Sequence, residues 1–213
     1  MPENKNASFC RWRRFGKAGV RLDAEKILYI DPIVIEPGAP KADIVLLTHG
    51  HAEHFSPDDV AKVSSAQTVV AGPAACVGLF RLNQLPFEAG ESKTVLGVSV
   101  MATPAYCPDD ARHPKEAGGL GYLIEMGGVR IFCAGDTAVV PELRGLKADA
   151  GFLPVAEDLM SARTAVALAR DMGLRMAALT HAEPGSALEK DFIELAQREG
   201  IAAWLPEPAF AAA

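Results

Sequence analysis

Short apolar runs, most of them rich in β-branched residues, recur along this chain and constrain its fold more than any other feature. Valine, isoleucine and threonine favour strands, and runs this short are typical of strands rather than helices. Glycine, proline and charged residues separate them, as turns and loops require. The nine runs cover residues 20–22, 27–30, 44–47, 68–70, 95–101, 120–124, 129–132, 151–155 and 176–179. They predict a protein built largely from β-sheet.

Helix signals fall between these runs. Ser56 followed by Pro57 and acidic residues, and Ser186 followed by Glu189, are typical N-termini of helices. We expect further helices over residues 162–172, ended by Gly173, and over residues 74–82. Strands interleaved with helices predict an α/β (α+β) fold with two mixed sheets covered by helices, formed by residues 1–213 as one domain.

Composition excludes several classes of protein. The net charge of −6 makes nucleic acid an unlikely partner, and no apolar run approaches the ~20 residues that cross a membrane. The first fifteen residues show no secretion signal, so we expect a cytoplasmic protein with reduced cysteines at positions 10, 76, 107 and 133. The basic run at residues 11–14 is interpreted as a solvated strand edge.

Three of the five histidines, His49, His51 and His54, lie within six residues directly after the apolar run 44–47. A loop at the end of a buried strand is held rigidly, and such loops present binding groups. Asp136 and His181 also follow apolar runs, at 129–132 and 176–179. Imidazole and carboxylate groups at three strand ends predict a metal site, for which zinc is favoured and manganese or iron remain open.

Longer motifs around these residues resemble one protein superfamily. The segment from Thr48 to Pro57 is similar to the His-x-His-x-Asp-His signature of the metallo-β-lactamase-fold hydrolases. Tyr29-Ile30-Asp31-Pro32 and Cys133-Ala134-Gly135-Asp136-Thr137 fall where that superfamily has further motifs. Thr103-Pro104-Ala105-Tyr106 and His113-Pro114-Lys115 resemble its ascorbate-6-phosphate-lactonase-like branch, the beta-lactamase superfamily domain hydrolases. The likeness covers roughly residues 16–181 and implies a four-layer αββα sandwich.

The resemblance implies a site with one or two divalent metals. One metal would be bound by His49, His51 and a ligand from the loop 104–113, and the other by Glu53, His54 and His181, with Asp136 between them. The implied activity is hydrolysis of a small, anionic ester, lactone or phosphoester by a metal-bound hydroxide, with Glu53 and Asp136 as the catalytic residues.

The chain departs from the family pattern at three points. Glu53 replaces the usual aspartate, and Lys17 stands where relatives often have histidine. The ligand from the loop 104–113 is either Cys107 or His113, and we favour His113 because a buried cysteine is usually a core residue. These departures leave an alternative open, a non-catalytic metal-binding member of the same fold.

Other residues carry weaker hypotheses. Asp31 is either a carboxylate that orients the histidine loop or a turn residue before Pro32. Tyr106, Arg112 and Lys115 are candidate contacts to a small-molecule substrate. The segments 80–91 and 108–118 are expected to determine specificity, and assembly into a homo-oligomer is compatible with the sequence.

Overall fold

The computed structural model describes residues 11–203. Its strands are β1 Arg11–Phe15, β2 Gly19–Asp23, β3 Ile27–Ile30, β4 Ile44–Leu46, β5 Val69–Gly72, β6 Asn83–Pro86, β7 Ser92–Val95, β8 Val98–Pro104, β9 Leu120–Met126, β10 Val129–Cys133, β11 Ala150–Pro154, β12 Met176–Thr180 and β13 Ala202–Ala203. Its α-helices are α1 Pro57–Val63, α2 Ala74–Val77, α3 Ala162–Met172 and α4 Ala187–Arg198.

The strands form two mixed sheets. The first has the order β1-β2-β3-β4-β5-β6, antiparallel from β1 to β3 and parallel from β3 to β6. The second has the order β13-β12-β11-β10-β9-β8-β7, parallel from β13 to β10 and antiparallel from β10 to β7. Both sheets therefore contain a parallel half in which all carboxyl ends lie at one edge.

Alternation of side chains along the strands produces four layers. Ile44 and Leu46 of β4 face the second sheet, in a cluster that includes Tyr122 and Phe152, whereas Val45 between them packs with helix α1. On β10, Ile131 joins the same central cluster, and Phe132 packs on the opposite face with α3 and α4. Because successive residues of a strand point to opposite faces, each sheet buries both of its faces. The expected αββα sandwich of two mixed sheets with flanking helices is confirmed.

Helix α1 begins after Ser56, whose side chain accepts from the backbone N–H of Asp59, and α4 begins after Ser186, which caps Glu189 in the same way. Helix α3 has the predicted bounds and ends at Gly173 in the left-handed conformation. The capping signals therefore determine these boundaries locally.

Two predicted elements were wrong. The run 95–101 is not one strand, because Leu96 and Gly97 adopt positive φ angles of 48° and 90° and turn the chain from β7 into β8. Positive φ at both central residues is what a tight two-residue hairpin turn requires. The helix expected over 74–82 stops at Val77, and β6 follows at the sheet edge with mostly exposed side chains.

The basic run 11–14 lies in the edge strand β1, as expected, but it is only partly solvated, because Arg11 and Arg13 are exposed whereas Trp12 and Arg14 are buried. Gly127 and Gly128, both with positive φ, connect β9 to β10. Cys76 and Cys133 are buried core residues and, like Cys107, carry no disulfide, whereas Cys10 lies outside the described residues. Among residues 11–203 no helix is long and apolar enough to cross a membrane.

Hydrogen bonds tie the two sheets together at the edge where the parallel strands end. The N–H of Leu120, at the start of β9, donates to the carbonyl of Thr48, just after β4, over 2.9 Å. The hydroxyl of buried Tyr122 donates to the carbonyl of Leu47 over 2.5 Å. The segment that carries the histidines is thus anchored to both sheets.

Candidate metal centre

The structure brings together all seven side chains that the sequence predicts as metal ligands, from four separate strand ends and loops. They form two adjoining groups in which the candidate ligand atoms lie within 4.8 Å of one another. The first group is His49, His51 and His113, and the second is Glu53, His54, Asp136 and His181.

Asp136 lies between the two groups. Its Oδ2 is 3.2 Å from His54 Nε2, 3.4 Å from His113 Nε2 and 3.8 Å from His49 Nε2. Its Oδ1 is 2.8 Å from His181 Nε2. The carboxylate is therefore within reach of both groups, as a shared ligand must be.

The outward-facing ring nitrogens of three histidines are held by neighbours. His54 Nδ1 is 2.8 Å from Asp31 Oδ2, His113 Nδ1 is 2.8 Å from Asp110 Oδ2, and His49 Nδ1 is 2.9 Å from Thr48 Oγ1. Such contacts fix the orientation of the ring and leave the other nitrogen available as a ligand.

Of the two readings of Asp31, the structure supports the carboxylate that orients the histidine loop. Its carboxylate accepts from both the N–H and the hydroxyl of Thr48, over 2.8 and 2.5 Å, besides facing His54. Asp110 has the same role towards His113, and sequence reasoning missed it. The only available signal was its position three residues before a candidate ligand in a polar loop.

Unpaired polar atoms indicate that the two groups suit a cation. His54 Nε2, His113 Nε2, His181 Nε2 and Asp136 Oδ1 are buried, and although they lie close to other ligand atoms, none has a partner in hydrogen-bond geometry among the described residues. Buried polar atoms normally have partners, and leaving them without any is costly. Imidazole nitrogens and carboxylate oxygens directed to one place are a ligand set for zinc and similar divalent ions.

The charges of the site follow from burial and from its carboxylates. Burial, reinforced by His54, lowers the pKa of His49 to about 4, so its ring is neutral, which is the form that binds metals. Burial also opposes a charge on His54, but the adjacent carboxylates of Asp136 and Asp31 raise its pKa to about 10. Despite burial, His181 and His54 hold the pKa of Asp136 far below its usual range. The carboxylates of Asp31 and Asp136, which flank His54, are thus stabilised by a positive charge at this ring, either a proton or a bound cation.

Geometry favours His113 over Cys107 as the ligand from the loop 104–113. The ring of His113 lies 4.9 Å from that of His51, centroid to centroid, whereas Cys107 belongs to neither group. Burial raises the pKa of the Cys107 thiol to about 11, which keeps it protonated at neutral pH. A protonated thiol is not the form that binds metals.

Lys17 and Glu53, two of the three departures from the family pattern, contact each other. Lys17 Nζ is 3.3 Å from Glu53 Oε2, and both side chains are partly exposed at the mouth of the second group. This ion pair lowers the pKa of Glu53 against the effect of burial. Glu53 therefore stays ionised, and its carboxylate is shared between Lys17 and the histidines.

The candidate substrate residues are engaged with protein groups. Arg112 pairs with Asp110 and Asp158, and Lys115 Nζ is 2.6 Å from Glu142 Oε1. The hydroxyl of Tyr106 donates to the other oxygen of Glu142 over 3.0 Å. Their role in substrate binding stays a prediction.

A cavity of about 400 Å³ opens between the two segments expected to determine specificity. Its lining includes Pro86 to Ala89 from the first segment and Ala117 and Gly118 from the second. Leu120, which bonds to Thr48 beside His49, also contributes to the wall. This volume is within the usual range for small-ligand sites.

Comparisons with known proteins identify the family to which the chain belongs. The family described as "Beta-lactamase superfamily domain" matches residues 15–181. A protein named UPF0173 metal-dependent hydrolase from Methanosphaerula palustris is 29% identical over 187 residues, which are 83% of this chain and 85% of the relative.

Solved structures share the fold. A protein from Parabacteroides distasonis superposes with a TM-score of 0.83 at 24% identity, covering 93% of both chains. Igni18, a metallo hydrolase from Ignicoccus hospitalis, superposes with a TM-score of 0.76 at 16% identity, covering 93% of this chain and 95% of its own. These likenesses concern the fold, and the assignment to the ascorbate-6-phosphate-lactonase-like branch stays a prediction.

Proposed function

The chain belongs to the beta-lactamase superfamily domain family and is a metal-dependent hydrolase of the metallo-β-lactamase fold, and from this premise we propose a dinuclear enzyme for small anionic esters, lactones or phosphoesters. His49, His51 and His113 would hold one divalent cation, and Glu53, His54 and His181 the other, with Asp136 shared. The observation that carries the proposal is a set of four buried ligand atoms that lie close together and have no hydrogen-bond partner among the described residues. Zinc is the preferred ion for this set of nitrogen and oxygen ligands.

The bound cations would supply Lewis acidity, lowering the pKa of water and polarising the scissile bond. Asp136, with its strongly lowered pKa, remains a carboxylate and serves to hold the centre together. Glu53 is the residue placed to accept a proton, because it combines a position in the second group with access to solvent. Both residues are therefore assigned to catalysis, in different roles.

Charge supports the choice of an anionic substrate. The ligand set contains two carboxylates, Glu53 and Asp136, and its imidazoles are neutral when they bind, so the loaded site retains positive charge. The cavity lined by Phe87, Gly118 and Leu120 has a volume compatible with a small molecule.

Metal content tests the proposal first. Protein purified without chelators is expected to contain close to two equivalents of divalent metal by elemental mass spectrometry, and Asp136→Ala to lose at least one with its fold retained. About one equivalent in the wild type would refute the dinuclear centre, and none after reconstitution with zinc or manganese would refute the metal site.

A hydrolysis screen then tests the activity. Metal-loaded wild type is expected to cleave at least one substrate in a panel of lactones, carboxylic esters and phosphodiesters, and Asp136→Ala to cleave none. A fully metallated wild type that cleaves none of them would favour the non-catalytic metal-binding alternative.

A further inference from the structure

A buried arginine, Arg14, lies next to the second group of candidate ligands but contacts none of their side chains. Arg14 lies on β1 and is 8% exposed, and it shares the inner face of the strand with Trp12, which packs against Phe152 of the second sheet. No carboxylate lies within ion-pair distance of Arg14 among the described residues, and Glu183 and Glu189 act on it only at longer range. Burying a charge without an ionic partner is costly, so its hydrogen bonds must compensate.

The guanidinium of Arg14 donates to three backbone carbonyls. Nη2 donates to Ala182 over 2.9 Å, Nη1 to Leu179 over 3.4 Å and Nε to Gly16 over 3.3 Å. Leu179 and Ala182 flank His181, the candidate ligand that follows β12. One planar, forked cation therefore bridges both sides of the turn that carries His181.

That turn has a backbone conformation that needs support. His181 has a φ of 67°, and the N–H of Ala182 donates to the carbonyl of Thr180 over 2.9 Å, which closes a three-residue turn around His181. A γ-turn with positive φ at a non-glycine residue is rare and strained. Strain of this kind is unfavourable and persists only where the surroundings enforce it.

The supporting contacts come from β1 and the residues after it. Besides the bonds from Arg14, the N–H of His181 donates to the carbonyl of Lys17 over 2.8 Å. The carbonyl of Thr180 accepts from the N–H of Val155, which directly follows β11. Carbonyls alternate in direction along a strand, so the carbonyl of Leu179 faces the other side of β12, towards β13. The described part of β13 pairs only with Met176 and Ala177, so it does not reach Leu179. Arg14 thus binds a carbonyl that these ladders leave free.

We propose that Arg14 is a positioning residue that holds the strained turn of His181, and through it the second metal site; this rests on the proposed role of His181 as a ligand. The guanidinium does not contact the metal or the substrate. It fixes the direction of the His181 ring by fixing the carbonyls on both sides of it.

Arg21 offers a matched control. It is an equally buried arginine, 7% exposed, on the neighbouring strand β2, and its guanidinium contacts Asp23 and Tyr29 rather than any residue of the site. Arg14→Gln and Arg21→Gln therefore both remove a buried cation, and both are expected to lower the melting temperature. A difference in metal binding between them isolates the positioning role.

The decisive experiment titrates metal-free wild type, Arg14→Gln and Arg21→Gln with zinc in competition with a chromophoric chelator. We expect Arg14→Gln to bind one equivalent of zinc tightly and the second at least about tenfold more weakly. Losing a group that orients a metal ligand generally lowers metal affinity by at least this factor. Arg21→Gln should bind both equivalents like the wild type. Arg14→Lys should also be weak at the second site, since one ammonium group cannot bridge both carbonyls.

A second measurement needs no metal. Hydrogen–deuterium exchange of the segment 179–183 should be faster in Arg14→Gln than in Arg21→Gln, relative to exchange elsewhere in each variant. A folded Arg14→Gln or Arg14→Lys with wild-type zinc affinities and unchanged exchange at 179–183 would overturn the inference. Binding of only one equivalent by the wild type would instead refute the dinuclear function, and the exchange comparison would then decide the role of Arg14.

Discussion

Replacing Asp31 with asparagine is expected to weaken the second metal site while leaving the fold intact. Asp31 Oδ1 accepts from the N–H of Thr48, and its Oδ2 faces both the Thr48 hydroxyl and His54 Nδ1. An asparagine must keep its single carbonyl oxygen towards the Thr48 N–H, which turns its amide NH₂ towards His54. His54 Nδ1 then has to accept rather than donate, and the ring proton moves to Nε2. A protonated Nε2 has no lone pair for a metal.

The size of the effect follows from the lost interaction. The contact between Asp31 and His54 is a hydrogen bond to a charged acceptor, for which about 1.5–3 kcal/mol is typical. Since about 1.4 kcal/mol corresponds to a factor of ten, we expect a loss of between about tenfold and a hundredfold in the affinity of the second site. Asp31 is 1% exposed, so solvent does not screen this contact.

Asp110→Asn is the matched control, because Asp110 contacts His113 Nδ1 over the same 2.8 Å. It should weaken the group of His49, His51 and His113, whereas Asp31→Asn should weaken the group of His54 and His181. Stepwise zinc constants from chelator competition measure both effects, and nitrogen NMR of the rings reports the tautomer. Unchanged zinc constants in Asp31→Asn, with the proton still on His54 Nδ1, would refute the reasoning.

Three further predictions follow from the structure. His113→Ala should remove metal from the first group and Cys107→Ser should not, measured by metal content per chain; the reverse result would identify Cys107 as the ligand. Gly135→Ala should displace Asp136 and lower the metal content, because a Cβ at Gly135, which has a φ of +64°, would lie 2.5 Å from the carbonyl oxygen of Leu120. Gly128→Ala is the control: Gly128 also has a positive φ, +73°, but open space around it, so the metal content should stay unchanged. Asp59→Asn should lower the free energy of unfolding by about 1–3 kcal/mol, because its carboxylate accepts from the N–H groups of Val34 and Ile35 and from Lys62. Despite burial, Lys62, Ser56 and these N–H groups lower the pKa of Asp59. The contribution of Asp59 to the free energy of unfolding should therefore be complete above the unfolded-state pKa of about 3.9 and decline as the pH falls through the lower folded value. Urea unfolding at pH 2.5 and pH 6 measures this, and an equal difference in stability between wild type and variant at both pH values would count against it.

Local patterns in the sequence determined much of the fold. Apolar runs rich in β-branched residues located most of the buried strands, and the capping serines 56 and 186 marked the starts of two helices. Both kinds of signal arise from residues close together in the chain, where spacing alone decides which groups meet. The same holds for the histidine cluster after β4, whose three rings are only a few residues apart.

Elements without an apolar face escaped this reasoning. Strand β6 is held to the sheet edge through its backbone, and its mostly exposed side chains carry no strand pattern. Leu96 concealed the turn between β7 and β8, because an apolar residue with positive φ looks like part of the strand in sequence. In both cases backbone hydrogen bonding outweighed the side-chain pattern.

Only the tertiary structure decided how the site is supported. Asp31 lies 23 residues from His54, and Arg14 lies 168 residues from Ala182, yet each pair forms a hydrogen bond. Such contacts depend on which strands are neighbours and on the approach of the two sheets at one edge, and neither is encoded in local spacing. The sequence by itself therefore identified the candidate metal ligands, whereas the packing of the sheets brings His113 rather than Cys107 next to the other histidines and decides which residues hold the rings in place.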